Sequence, residues 1–83
     1  MYLVKLMPRA IKELKDIPKA RAKRIVEKIS GLEHGLGTDV KKLANFTPEY
    51  RLRVGDYRVL FEIESQQIII YRVKHRKNAY AKR

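Results

Sequence analysis

Between positions 50 and 76 the chain carries Arg51, Arg53, Arg58, Arg72 and Arg76 against one lysine, Lys74. Arginine presents a planar fork of donors that matches phosphate, whereas lysine is a strongly hydrated point charge, so phosphate-binding chemistry is expected in this half. The spacing places three of these residues. Tyr50-Arg51-Leu52-Arg53-Val54 alternates strictly, Gly55-Asp56 suits a two-residue hairpin turn with glycine first, and Tyr57-Arg58-Val59-Leu60-Phe61-Glu62-Ile63 resumes the alternation. Counting outward from the turn sets Arg53 opposite Arg58 and Arg51 opposite Leu60, with Tyr50, Leu52, Val54, Tyr57, Val59 and Phe61 on the other face. Like charges placed opposite each other destabilise a sheet. Exposed strands also carry arginine for solvation alone, but three of one sign with no acid across from them favour an anion site.

His75, Arg76, Lys77 and Tyr80 follow. On a helical turn Arg76 and Tyr80, four apart, share a face, so a donor fork and a phenol would point at one phosphate. A tyrosine at this spacing is also an ordinary packing residue, and a lone histidine an ordinary surface one; their weight comes from joining Arg51, Arg53 and Arg58. Lys74 and Lys77 are further candidates for phosphate contact. No P-loop, dinucleotide glycine pattern or histidine pair at metal spacing occurs. Glu62 and Glu64 are the nearest paired carboxylates and lie beside basic groups, so neither metal nor cofactor is expected.

The elements that must hold these residues read as β-α-α-β-β-β. Tyr2 to Leu6 is rich in strand formers and stops before Pro8, which suits the first position of a helix. Ala10, Ile11, Leu14 and Ile17 have helical spacing up to Pro18. A second helix from Lys19 shows an apolar stripe of Ala22, Ile25, Val26, Ile29 and Leu32, and the segment His34 to Thr38 ends it. Val40 to Leu43 reads as a short basic link. After the two strands flanking Gly55-Asp56, Ile68 to Val73 supplies a third, whose continuous apolar run fits a central strand covered on both faces. The expected fold is α+β: a helical hairpin packed on one face of a four-stranded, mostly antiparallel sheet.

Residues 1–83 suffice for one small domain. With 20 Lys and Arg against 9 Asp and Glu the formal net charge is +11, which points to a polyanionic partner such as nucleic acid. The absence of cysteine excludes disulfide staples and a catalytic thiol and fits a reduced, cytoplasmic protein. Its longest apolar run is far short of a membrane span and the charged start has no apolar signal core, so no membrane partner is expected.

Lys42-Leu43, the loop with Pro48, the string YRLRVGDYRVLFEI and the closing HRKNAY, in this order, resemble the RelE/ParE superfamily of toxins from toxin-antitoxin systems, and within it the RelE branch. The resemblance spans nearly the whole chain. It implies an endoribonuclease that enters the ribosomal A site, cuts the messenger there without metal and is restrained by a cognate, RelB-like antitoxin with an acidic segment. It would place Arg51, Arg53 and Arg58 around the scissile phosphate, with Arg76 and Tyr80 beside it. The chain departs from the best-known pattern in having arginines where lysines often stand on the first catalytic strand. Metal-free RNA cleavage needs a base for the 2′-OH, cations for the charged phosphorane and an acid for the leaving oxygen. Arginine stabilises charge but is a poor base, which leaves Tyr80 and His75 for proton transfer, with the division between them open. Two other functions fit the same domain: a ParE-like toxin that inhibits a topoisomerase by protein contact, and a basic RNA-binding module without chemistry.

Overall fold

Pro8 lacks an N–H and has a fixed φ, so it cannot extend a strand but can open a helix. In the computed structural model, which describes residues 1–79, strand β1 (Leu3–Leu6) accordingly gives way to helix α1 (Pro8–Lys15). Helix α2 (Lys19–Gly31) follows Pro18 and tightens into a 3-10 turn at Leu32–His34. Strands β2 (Val40–Lys42), β3 (Tyr50–Val54), β4 (Tyr57–Glu64) and β5 (Gln67–His75) complete the chain. They form one sheet in the order β1-β5-β4-β3-β2, in which β1 runs parallel to β5 and the other neighbours are antiparallel.

The sheet thus has five strands, one more than expected. Val40–Lys42 is an edge strand whose residues pair with Leu52, Arg51 and Tyr50, where the sequence reads as a link. Three residues, two of them lysine, are too short to display a period of two, and backbone pairing to β3 is what makes them a strand. Lysines at an edge also discourage pairing with a further chain.

The hairpin register matches expectation, with Val54 opposite Tyr57 and Arg53 opposite Arg58. Of the two turn residues only Gly55 has positive φ, at 58°, the type II′ pattern that requires glycine in first place. Between β4 and β5 the register slips: Leu60 faces Arg72 but Phe61 faces Ile70, leaving Tyr71 as an extra residue. This bulge reverses the phase of β5. Ile68 and Ile70 point into the core, and beyond Tyr71 it is Val73 that does so, turning Arg72 and Lys74 to the opposite face.

The core lies between the sheet and the helices. Phe61, Val59, Ile68 and Ile70 are fully buried against Ala10, Ile25, Ile29 and Leu32. The stripes read from the helices are wider than the faces they bury: Ile11 and Val26 are 42% and 45% exposed. Val26 joins Leu14, Ile17 and Ala22 along an open groove of about 710 Å3 between α1 and α2, rimmed by Lys15, Lys19, Lys23 and Glu27. Among the described residues no helix is long and apolar enough to cross a membrane.

Candidate nucleic-acid interface

The sheet face turned away from the core collects the basic residues in two rows. One runs Lys41, Arg51, Leu60, Arg72 from β2 to β5, and the next runs Arg53, Arg58, Lys74. Arg51, Arg53, Arg58 and Lys74 therefore come to one surface as direct or diagonal neighbours, within reach of long side chains. Leu60 and Ile69 on this face are buried although they lie outside the main core; Arg51 and Arg72 stand on either side of Leu60, and Glu62 stands across from Ile69.

Each arginine is held differently. Arg58 folds back on the hairpin, its Nη1 donating to the carbonyls of Gly55 at 2.8 Å and Tyr57 at 2.9 Å. Arg53 lies 3.7 Å from an Asp39 carboxylate oxygen, and its backbone N–H donates to the Asp39 carbonyl. Asp39 also accepts from Lys28 of α2; that hydrogen bond and the ammonium's charge hold its carboxyl below the ordinary aspartate range, Arg53 adding to the effect. Arg51 keeps a buried Nε with no hydrogen-bond partner. A buried unmet donor is costly, by roughly 1–3 kcal/mol.

Arg72 is spent inside the protein. Its Nε and Nη2 donate to one Glu13 oxygen at 2.9 and 2.7 Å, while the other Glu13 oxygen accepts the Val73 N–H at 2.7 Å. The pairing of β1 with β5 stops at Ile70, and Glu13, from α1, satisfies the strand edge beyond it. The tail is tied to the hairpin tip: the Arg76 N–H donates to the Asp56 carbonyl at 2.7 Å, and the Arg76 Nε lies 3.9 Å from the Asp56 carboxylate. Arg58 and Arg76 are thus anchored on the same two-residue turn. Lys77 is exposed next to Arg76, and its N–H donates to the His75 Nδ1. His75 itself pairs with Tyr57, meeting its ring edge-on with centroids 5.5 Å apart, so it stands on the opposite face from Arg58 and Lys74. Tyr80 lies outside the described residues.

Three residues of this surface escape a reading of the sequence. Lys41 sits on the strand that reads as a link. Glu13 and Asp39 hold Arg72 and Arg53 from distant positions, and no local pattern marks them. Glu62, one of the two carboxylates considered for a metal, accepts the Glu49 N–H at 2.9 Å.

Comparison with known proteins is consistent over nearly the whole chain. Residues 4–80 match the family model described as the ParE toxin of type II toxin-antitoxin systems. The toxin RelE3 of Methanocaldococcus jannaschii is 39% identical over 75 residues, covering 84% of this chain and 85% of its own. Among solved structures, the RelB-RelE antitoxin-toxin complex from Methanococcus jannaschii superposes with a TM-score of 0.76 at 34% identity, over 92% of this chain and 94% of that one. The archaeal RelE-RelB complex from Pyrococcus horikoshii gives the same score and identity over 94% and 98%.

Proposed function

Since the chain belongs to the ParE toxin family of type II toxin-antitoxin systems, with RelE toxins among its relatives, we propose that it is a ribosome-dependent, metal-independent endoribonuclease that cuts messenger RNA in the A site and so inhibits translation. The observation that carries the reading is the face bearing Arg53, Arg58 and Lys74 beside Lys41 and Arg51. So many cations on neighbouring strands suit a phosphodiester whose charge grows in the transition state. Arg58 and Arg76, both fixed on the hairpin tip, stabilise the phosphorane; Arg51, Arg53, Lys74 and Lys77 hold the flanking backbone. Tyr80 and His75 are the candidates for moving protons between the 2′-OH and the leaving 5′-oxygen. His75, as the last residue of β5, would approach from the end of the sheet.

The partner in this reading is a RelB-like antitoxin with an acidic, partly disordered segment. The RelE relatives were solved as complexes with RelB, and a +11 chain offers such a segment a large complementary charge. The groove between α1 and α2, apolar within and rimmed by three lysines and Glu27, adds a surface for its apolar side chains. A toxin that acts on ribosomes works in the cytoplasm.

The family model's ParE label supports a second reading, a topoisomerase inhibitor acting by protein contact. Mapping messenger 5′ ends in cells expressing the chain separates the two. Codon-phased cuts are expected; DNA damage without such cuts would establish the ParE-like activity instead. Single-turnover cleavage on programmed ribosomes then tests the roles. Tyr80→Phe keeps the ring, so a proton-transfer role predicts unchanged ribosome affinity with cleavage down by about a hundredfold or more. His75→Ala is the matched comparison. If both cleave at the parent rate, neither moves the proton and the division of labour above is wrong.

A further inference from the structure

On the helix side of the hairpin tip, Arg21 and Arg24 of α2 line a cleft of about 240 Å3 with Ile25, Val54, Asp56 and Tyr57. The two arginines are three residues apart and share a helix face. Both are exposed, and among the described residues no acidic group pairs with either. Ile25 and Val54, 1% and 3% exposed, supply an apolar floor, and Tyr57 contributes an aromatic wall. The one carboxylate present, Asp56, lies 3.9 Å from the Arg76 Nε. Two donor forks, an apolar floor and a ring are the elements that hold an unstacked nucleotide, the base on the apolar and aromatic surface and the phosphate on the guanidinium groups.

The cleft is continuous with the arginine face around the end of the sheet. Both surfaces border the Gly55-Asp56 turn, on which Arg58 leans from one side and to which Arg76 is tied. We propose that this cleft is a second RNA subsite, which takes one nucleotide flanking the stretch held on the arginine face, with its phosphate on Arg21 and Arg24 and its base against Tyr57. The inference rests on the RNA-cleaving reading for the neighbouring stretch. It assigns to α2 a direct role in binding single-stranded RNA.

The test uses the full chain and an unstructured 2′-O-methyl octanucleotide, which lacks the 2′-OH and cannot be cut. Its affinity is measured by anisotropy over a range of salt for the parent, for Arg21→Ala/Arg24→Ala and for Arg53→Ala/Arg58→Ala. The cleft variant is expected to bind about tenfold or more weakly, with the log-log salt slope flatter by about 0.7 for each phosphate it no longer neutralises. It should lose nothing on an oligonucleotide too short to leave the arginine face. Parent-like affinity and slope in the cleft variant would overturn the subsite. So would an equal loss on a polyglutamate peptide, which would reduce the two arginines to general positive charge or to a protein-binding surface. The other double variant tells the two failures apart. If it alone loses affinity, the cleft inference falls and the reading of the arginine face stands. If only the cleft variant loses affinity, the arginine face does not hold RNA, and the cleft, though it binds, is not a subsite flanking it: both the reading and the inference as stated fall.

Discussion

The sheet face and the helical hairpin are both strongly basic, yet they hold their charge in different ways. On the sheet and its tail four arginines have partners within the fold, Arg58 on two carbonyls of its own hairpin, Arg53 beside Asp39, Arg72 on Glu13 and Arg76 beside Asp56, while the Arg51 Nε has none. On α1 and α2, Lys12, Lys15, Lys19, Lys23, Arg21 and Arg24 have no acidic partner among the described residues. A guanidinium held by hydrogen bonds, as on Arg58 and Arg72, has lost rotamer freedom before a ligand arrives and can meet a transition state with less further ordering. Arg53 and Arg76, in long ion pairs and mostly exposed, are held more loosely. The helix lysines retain their rotamer freedom and act through the long-range field that raises encounter rates. Net charge therefore says little about which cations do chemistry; what holds each one says more.

The largest effect expected is one that removes no charge at all. Phe61 is fully buried on the core side of β4, back to back with the arginine rows. Phe61→Ala should destabilise the fold by about 3–5 kcal/mol, measured by urea unfolding. If it costs under about 1 kcal/mol, the core does not hold the basic face in the way described.

Next comes the contrast between the two cation sets. Arg58→Ala should lower single-turnover cleavage by about a hundred- to a thousandfold, the usual cost of losing one preorganised donor to a developing oxyanion. Lys12→Ala/Lys15→Ala should leave that rate within about twofold and slow association only at low salt. Comparable losses in the two variants would dissolve the distinction between anchored and mobile charge.

Glu13 is an intermediate case. Glu13→Ala strips the Arg72 guanidinium of its partner and leaves the Val73 N–H at an open strand edge. Both side chains of the pair are about one-fifth exposed, and losing charge-assisted bonds of this kind should cost roughly 1.5–3 kcal/mol. Glu13→Gln keeps an acceptor for one of the two groups and should recover part of the loss. A fully stable Glu13→Ala protein would mean that solvent serves the edge equally well.

How much of this was legible in the sequence follows the range of the interactions. The hairpin register, the common face of Arg53 and Arg58 and the helical hairpin all follow from local periodicity and turn chemistry, which a single sequence displays. The strand at Val40–Lys42 does not, because three residues show no period. The bulge at Tyr71 left one trace: Val73 is apolar but out of phase with Ile68 and Ile70, a clue that the unbroken run of isoleucines obscures. The holding groups were invisible. Glu13 is 59 residues from Arg72 and Asp39 reads as an ordinary loop acid, so only the folded chain brings them to their arginines. The candidate RNA-binding residues could thus be named from the sequence, while what positions them could not.

Asp39 gives the smallest expected effect and the finest probe of that positioning. Its carboxyl accepts from Lys28 and lies beside Arg53, and its pKa is lowered from the ordinary 3.8. A group whose pKa is depressed by folding contributes stability above its unfolded value and loses that contribution as pH falls through the folded one. The gap in stability between the parent and Asp39→Asn should therefore be constant at neutral pH, shrink once the pH drops below about 3.8, and vanish below the folded value. The pair is solvent-exposed, so the gap itself is expected to be small and reduced by salt. Other carboxylates titrate in the same range, which is why the difference between the two proteins is the quantity to measure, by urea unfolding at matched ionic strength. In cleavage assays at neutral pH the same substitution should act only through Arg53: Asp39→Asn should lower the rate in the parent background and do nothing further in Arg53→Ala. A stability gap that widens toward acid, or equal rate losses in both backgrounds, would show that Asp39 does not work by holding Arg53 in place.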